Sequence, residues 1–180
     1  MDTIKYQLNA RRQPYGQGAD LSLLNESVGN EVLAFHQKFP DYRVTPLRKL
    51  EFLSQRLGLG SIHIKDEAQR FGLNAFKGLG GSYAMGKYLA ALLERDINTL
   101  SFAELNSPVI KARIKDIVFV TATDGNHGRG VAWAAEQLGL RAVVYMPKGS
   151  SPVRAQNIRR HGAECTITCL LYTSDAADEL

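Results

Sequence analysis

The stretch Ile117-Val118-Phe119-Val120-Thr121-Ala122-Thr123-Asp124-Gly125-Asn126-His127-Gly128 decides the fold of this chain. Its apolar beginning is typical of a buried strand, and helical spacing follows from Gly128 to Leu138. The polar residues in between therefore form a strand-to-helix turn. In an open α/β sheet, ligands gather where strands end, and unpaired N–H groups at the start of the next helix bind anions such as carboxylates. Gly125 and Gly128 let a ligand approach the backbone closely.

The same order of strand and then helix continues along the chain. A second strand is predicted at Ala142 to Met146, a helix after Ser151, and a third strand near Cys165 to Thr168. This repetition predicts a parallel sheet with right-handed crossovers. Upstream, spacing predicts helices over Val28 to Phe39, Leu47 to Leu57 and Asn74 to about Leu93, and a strand at Ser61 to Lys65.

Lys77 stands at the start of one of these predicted helices. With Asn74 as the N-cap, Lys77 lies in the first turn, where the helix macrodipole disfavours a cation and lowers the cost of losing its proton. A neutral amine is what Schiff-base chemistry requires. Spacing alone also fits a solvated surface lysine, and Asp124 taken alone fits a simple N-cap.

These residues resemble the fold-type II pyridoxal phosphate enzymes, and among them the diaminopropionate ammonia-lyases. Related threonine and serine dehydratases usually have Ser-Phe-Lys and Ser-Gly-Asn-His where this chain has Ala75 and Asp124, so Asp124 is the residue diagnostic of the narrower family. The resemblance runs from about Asn30 to Thr168, and it is carried by collinear segments at Tyr42 to Leu47, Lys65 to Glu67, Arg70 to Lys77, Thr123 to Ala135 and Tyr145 to Gly149.

The resemblance implies a fold, a cofactor and a reaction. The fold is α/β, with the three-layer parallel sheets of the fold-type II enzymes, truncated in this chain. The cofactor is pyridoxal 5'-phosphate. The reaction is an α,β-elimination that converts D- or L-2,3-diaminopropionate to pyruvate and ammonia.

Roles for individual residues also follow from the resemblance. Lys77 holds the cofactor as a Schiff base and later acts as the base on the Cα proton of the L-isomer. Asp124 stands on the opposite face and serves the D-isomer. Phe76 packs against the cofactor ring, and Asn126 hydrogen-bonds the ring hydroxyl. The substrate carboxylate is received by the backbone of Thr123, Asp124, Gly125, Asn126 and His127.

The resemblance further implies a division into domains. Residues 1–76 are expected to be the N-terminal part of a large domain, left incomplete, and residues 77–168 a small cofactor-facing α/β domain. The C-terminal half, with the glycine-rich cup for the cofactor phosphate, is expected to be missing, and residues 169–180 are interpreted as an artefactual sequencing-adapter tail. The fragment is therefore expected to be inactive by itself and to leave apolar faces uncovered.

Composition favours a piece of a cytoplasmic enzyme. The hydrophobic share of 44% and the charged share of 22% are ordinary, and no apolar run reaches transmembrane length. A net charge of +4 with interspersed signs argues against nucleic acid as a partner. The cysteines, Cys165 and Cys169, are too few for a zinc site, so no metal is expected, and Cys165 is interpreted as a small buried hydrophobe. The expected partners are a small amino-acid substrate and, at full length, a second copy in a homodimer.

Alternatives from other classes remain open. A threonine or serine dehydratase would use the same cofactor. A dinucleotide-binding domain fits the strand and helix order, but no Gly-x-Gly-x-x-Gly follows the first strand of the repeat. The chain can also be a non-catalytic fragment of an enzyme. His127 fits a structural hydrogen-bonding group or a base, and Lys65 to Glu67 fit a surface ion-pair cluster or a wall of the site.

Overall fold

A parallel sheet organises the second half of the chain, as the sequence predicts. The computed structural model describes residues 9–12, 14, 22–123 and 125–168. Asp124, Cys169 and the expected tail at 169–180 lie outside them. The helices are α1 (Glu26–Gln37), α2 (Glu51–Arg56), α3 (Lys77–Leu92), α4 (Phe102–Leu105), α5 (Pro108–Ile114), α6 (Asn126–Leu138) and α7 (Pro152–Arg159). The strands are β1 (Leu47–Lys49), β2 (His63–Lys65), β3 (Val118–Ala122), β4 (Arg141–Pro147) and β5 (Glu164–Thr168).

Strands β3, β4 and β5 lie side by side in that order and run parallel. Side chains alternate along β4: Ala142, Val144 and Met146 are buried, whereas Tyr145 is exposed. Helix α6 packs on β3 and β4, and α7 packs on β5. Since the strands are parallel, their carboxyl ends meet at one edge of the sheet, and the turn that follows β3 lies there.

An apolar cluster joins α1, α3, α6 and the sheet. Trp133 of α6 is buried, and the ring of Phe39 stacks on it at a centroid distance of 5.7 Å. The prediction that Cys165 is buried is confirmed. Because Phe39 precedes residue 77 and Trp133 follows it, both predicted domain segments contribute to one core.

The predicted helix over Leu47 to Leu57 is wrong in its first part. Residues Leu47–Lys49 form β1, which pairs antiparallel with β2, and only Glu51–Arg56 are helical. A backbone bond from Asp66 N–H to the Pro46 carbonyl, at 2.9 Å, extends the pairing. Pairing with β2 outweighs the weak helical preference of so short a segment. The spacing of apolar residues does not reveal this pairing.

The ion pairs next to β2 favour the surface interpretation for Asp66. Its carboxylate accepts a 2.8 Å bond from exposed Arg48, which holds the pKa of Asp66 below its ordinary value. Glu67 instead pairs with buried Arg70 at 2.7 Å. None of the helices in the described ranges is both long and apolar enough to cross a membrane.

Candidate active site

Lys77 is the first residue of α3 and is exposed. Its predicted place in the first turn is confirmed, but the predicted cap is wrong. Phe76 stands at the N-cap without a side-chain cap bond, whereas Asn74 has a left-handed backbone with φ 54°. Asparagine tolerates that conformation better than most residues, so it serves the preceding turn instead of capping the helix.

The turn after β3 leads directly into α6. The Thr123 N–H donates to the Tyr145 carbonyl at 2.9 Å, and the Gly125 N–H donates to Thr123 Oγ1 at 3.2 Å. The bond from Arg129 N–H to the Gly125 carbonyl, at 3.1 Å, begins the helical ladder. The N–H groups at 126–128 precede that ladder and have no acceptor within the helix. Positions 126–128 therefore present N–H groups that the helix does not use, whereas the Thr123 N–H is used by the sheet.

Close backbone contact brings α3 and α6 together at Lys77. A Cβ built on Gly130 would lie 2.9 Å from the carbonyl carbon and oxygen of Lys77 and from the Gly78 nitrogen. A Cβ on Gly78 would lie 2.8 Å from Leu73 Cδ1 and 3.4 Å from the Trp133 ring. Only glycine permits this approach, and the approach places Lys77 beside the first turns of α6.

His127 lies within electrostatic reach of Lys77. The pKa of His127 is lowered, first because its surroundings remove part of its solvent and second because the positive charge of Lys77 repels another cation. At neutral pH the imidazole is therefore neutral. A neutral His127 adds no second positive charge beside the lysine.

Arg129 is a site residue to which the sequence analysis gave no role. Its guanidinium donates to the Leu73 carbonyl at 3.0 Å and to the Gly72 carbonyl at 3.3 Å, and so joins α6 to the turn that precedes Lys77. A signal was available, because a cation so near the start of a helix opposes the macrodipole and requires compensation.

Two further features surround the turn. Gly125 is buried, and a Cβ built on it would lie 3.6 Å from Cδ of Arg154, a residue of α7. Phe76 is 59% exposed, and Asn126 is exposed as well. The structure thus brings Lys77, Phe76, Asn126 and His127 to one edge of the sheet, while Asp124 lies outside the described residues.

These groups fit pyridoxal phosphate. Lys77 offers an accessible primary amine, Phe76 an open aromatic ring, and Asn126 an amide that can hydrogen-bond a ring hydroxyl. The tight packing of Gly78 and Gly130 fixes the Lys77 backbone beside the first turns of α6. The N–H groups at 126–128, at the start of α6, can receive a carboxylate.

Comparisons with known proteins identify enzymes to which this chain is similar. The chain is 77% identical, over 95% of its length, to the diaminopropionate ammonia-lyase of Salmonella typhimurium. A crystal structure of the Escherichia coli enzyme of that name in complex with D-serine has a TM-score of 0.77 and 49% identity, covering 82% of this chain and 37% of that one. Another, in complex with an aminoacrylate-PLP azomethine reaction intermediate, has a TM-score of 0.72 and 48% identity, covering 82% and 35%.

The chain spans about two-fifths of the Salmonella relative, 42% of its length. The predicted resemblance to diaminopropionate ammonia-lyases is confirmed, as is the α/β fold class of the fold-type II enzymes. Residues 38–179 match the family described as pyridoxal-phosphate dependent enzymes, which confirms the predicted cofactor class. The chain therefore belongs to the pyridoxal-phosphate dependent enzymes.

Proposed function

We propose that the whole protein containing this chain is a diaminopropionate ammonia-lyase. It converts 2,3-diaminopropionate and water to pyruvate and releases both nitrogen atoms as ammonia. The observation that carries the proposal is the contact of Gly130 with the Lys77 backbone, which sets an exposed amine beside the start of α6. The choice of substrate rests on the high identity with the Salmonella relative.

Two bases, Lys77 and Asp124, act on opposite faces of the substrate Cα. Lys77 would hold the cofactor through its amine, and the same amine, when free, would remove the Cα proton of the L-isomer. Asp124 removes the corresponding proton of the D-isomer from the opposite side. Pyridoxal phosphate, when bound, supplies the electron sink for the negative charge that is left at Cα.

The start of α6 orients the substrate. The amides at 126–128 bind its carboxylate, helped by the positive end of the helix dipole. Neutral His127 adds a hydrogen bond without placing a second cation beside Lys77. Asn126 and Phe76 hold the cofactor ring by a hydrogen bond and by packing. This arrangement fixes Cα between the two bases.

The wider organisation is proposed on the same basis. Residues 1–76 belong to a large domain that is completed elsewhere in the whole protein, and residues 77–168 form the small cofactor-facing domain. The family resemblance supports a homodimer, and the ordinary composition supports a cytoplasmic location.

A substrate panel tests this function. The whole protein, loaded with pyridoxal phosphate, is assayed for pyruvate and ammonia with D- and L-2,3-diaminopropionate, L-serine and L-threonine. We expect turnover of both diaminopropionate isomers, with two molecules of ammonia released for each molecule of pyruvate. Turnover confined to the hydroxy amino acids would instead make the protein a dehydratase.

A further inference from the structure

The backbone just before Lys77 has an uncommon conformation. Phe71, Gly72 and Asn74 have φ angles of 50°, 68° and 54°, all in the left-handed region. A bulky residue such as Phe71 adopts that region only where its surroundings hold it there. The segment from Phe71 to Lys77, which we call the lysine-bearing turn, therefore needs restraint from outside itself.

Helix α6 supplies restraint through two side chains on one of its faces. Arg129 donates to the carbonyls of Gly72 and Leu73 at 3.3 and 3.0 Å. One helical turn later, Trp133 stacks on Phe71, with ring centroids 4.3 Å apart and planes inclined by 21°. Arg129 and Trp133 are spaced i and i+4, so both point toward the same part of the neighbouring chain.

The other end of the lysine-bearing turn is held by the residue that precedes it. Arg70 is buried, its Nε donates to Glu67 at 2.7 Å, and its Nη1 donates to the Arg43 carbonyl at 2.7 Å. These bonds fix the turn to the N-terminal segment. The part of the turn that leads to Lys77 is held by α6, because the Arg129 guanidinium donates to the Gly72 and Leu73 carbonyls.

We propose that Arg129 is a positioning residue that sets Lys77 relative to the substrate-binding start of α6. This inference rests on the proposed function. Arg129 lies three residues after Asn126 on the same helix, so one rigid element carries both the carboxylate-binding amides and the hold on the lysine-bearing turn. Lys77 consequently keeps a fixed position relative to the groups that would bind the substrate carboxylate.

Hydrogen exchange in the cofactor-free whole protein tests the restraint directly. The Leu73 N–H donates to the Arg70 carbonyl at 2.8 Å within the turn, so its exchange reports opening there. In Arg129→Ala we expect that amide to exchange at least about tenfold faster, because charge-assisted bonds to two carbonyls are lost. Arg141→Ala, which removes an exposed ion pair with Glu164, is the control and should leave the Leu73 amide unchanged.

Conservative variants separate positioning from general stability. Arg129→Lys keeps a charged donor that can reach one carbonyl, and it should recover part of the protection, whereas Arg129→Met keeps only the apolar stem and should recover none. Unchanged exchange at Leu73 in Arg129→Ala, an equal rise throughout the protein, or full recovery in Arg129→Met would each overturn the proposal.

Kinetics of the loaded enzyme provide a second readout. Displacement of Lys77 should lower kcat by about tenfold to a hundredfold in Arg129→Ala while the KM for diaminopropionate changes much less, with partial recovery in Arg129→Lys. A rise in KM alone would overturn the positioning role. Exchange at Leu73 needs no turnover, so failure of the ammonia-lyase function and failure of this inference are distinguishable.

Discussion

His36 joins α1 to the first two turns of α3 through its imidazole. The ring is buried, with Nδ1 2.7 Å from the Val32 carbonyl and Nε2 3.0 Å from both the Leu79 carbonyl and Ser82 Oγ. The Ser82 hydroxyl donates to the Gly78 carbonyl at 2.7 Å. Burial lowers the pKa of His36, so the folded protein holds the ring neutral.

This burial predicts a pH dependence of stability. In the unfolded chain, histidine gains a proton below about pH 6.5, whereas folded His36 resists protonation to a lower pH. The unfolded state then binds more protons, so the free energy of unfolding should fall as the pH drops from 7 to 5. Urea unfolding should show a smaller fall in His36→Gln. An equal fall in both proteins would contradict the assignment.

Asp124 predicts a selective loss of activity, although this residue lies outside the described part of the structure. In Asp124→Ala, absorbance of the bound cofactor should remain and turnover of D-diaminopropionate should fall about 10²- to 10⁴-fold, because a general base is removed. Turnover of the L-isomer should change little. Asp116→Ala, at an exposed aspartate, is the matched control. Equal loss on both isomers would contradict the assignment of one base to each face.

Glycines of α3 and α6 carry the contact that builds the site. Gly130→Ala places a methyl group 2.9 Å from Lys77 backbone atoms that cannot yield independently, so the two helices must separate. Urea unfolding should show a loss of about 1–3 kcal/mol. Gly80→Ala in α3 meets nothing within 4 Å and should be neutral or stabilising by up to about 1 kcal/mol. Equal effects of the two substitutions would show that the helices do not touch at Lys77.

At the level of elements, periodicity predicted the sheet well. Runs of apolar residues at regular intervals fixed β3, β4 and β5 and their parallel order, since each strand is followed by helical spacing. Helix α4 was missed although Ser101 and Glu104 form a capping box, with bonds of 3.1 and 2.9 Å to each other's N–H groups. A helix of four residues is too short to show a helical period of apolar residues, so the capping box is its main sequence signal.

Tertiary contacts account for the rest. The position of Lys77 in a first turn was predicted, but the left-handed turn before it was not, because it depends on Arg129 and Trp133 from a distant helix. Strand β1 was likewise missed, since it forms only against β2. Local patterns predict elements and motifs, whereas contacts between them decide how the site is held.

At the scale of the whole molecule, apolar surface is concentrated in the N-terminal segment. Val44 is 79% exposed, Phe52 75% and Leu47 65%, as expected for a segment that packs against further chain. We predict that this chain alone binds a hydrophobic dye strongly and that Phe52→Ser reduces this binding. In the whole protein, the same substitution should lower the free energy of unfolding by about 1–3 kcal/mol. Absence of any stability change in the whole protein would show that Phe52 stays exposed there.

The most direct test of the central claim identifies the lysine that holds the cofactor. The whole protein is loaded with pyridoxal phosphate, reduced with borohydride, digested and examined by peptide mass spectrometry. We predict an adduct on Lys77, none on the exposed Lys65 or Lys87, and loss of both adduct and visible absorbance in Lys77→Ala. An adduct on another lysine, or absorbance that survives in Lys77→Ala, would contradict the site described for α3 and α6.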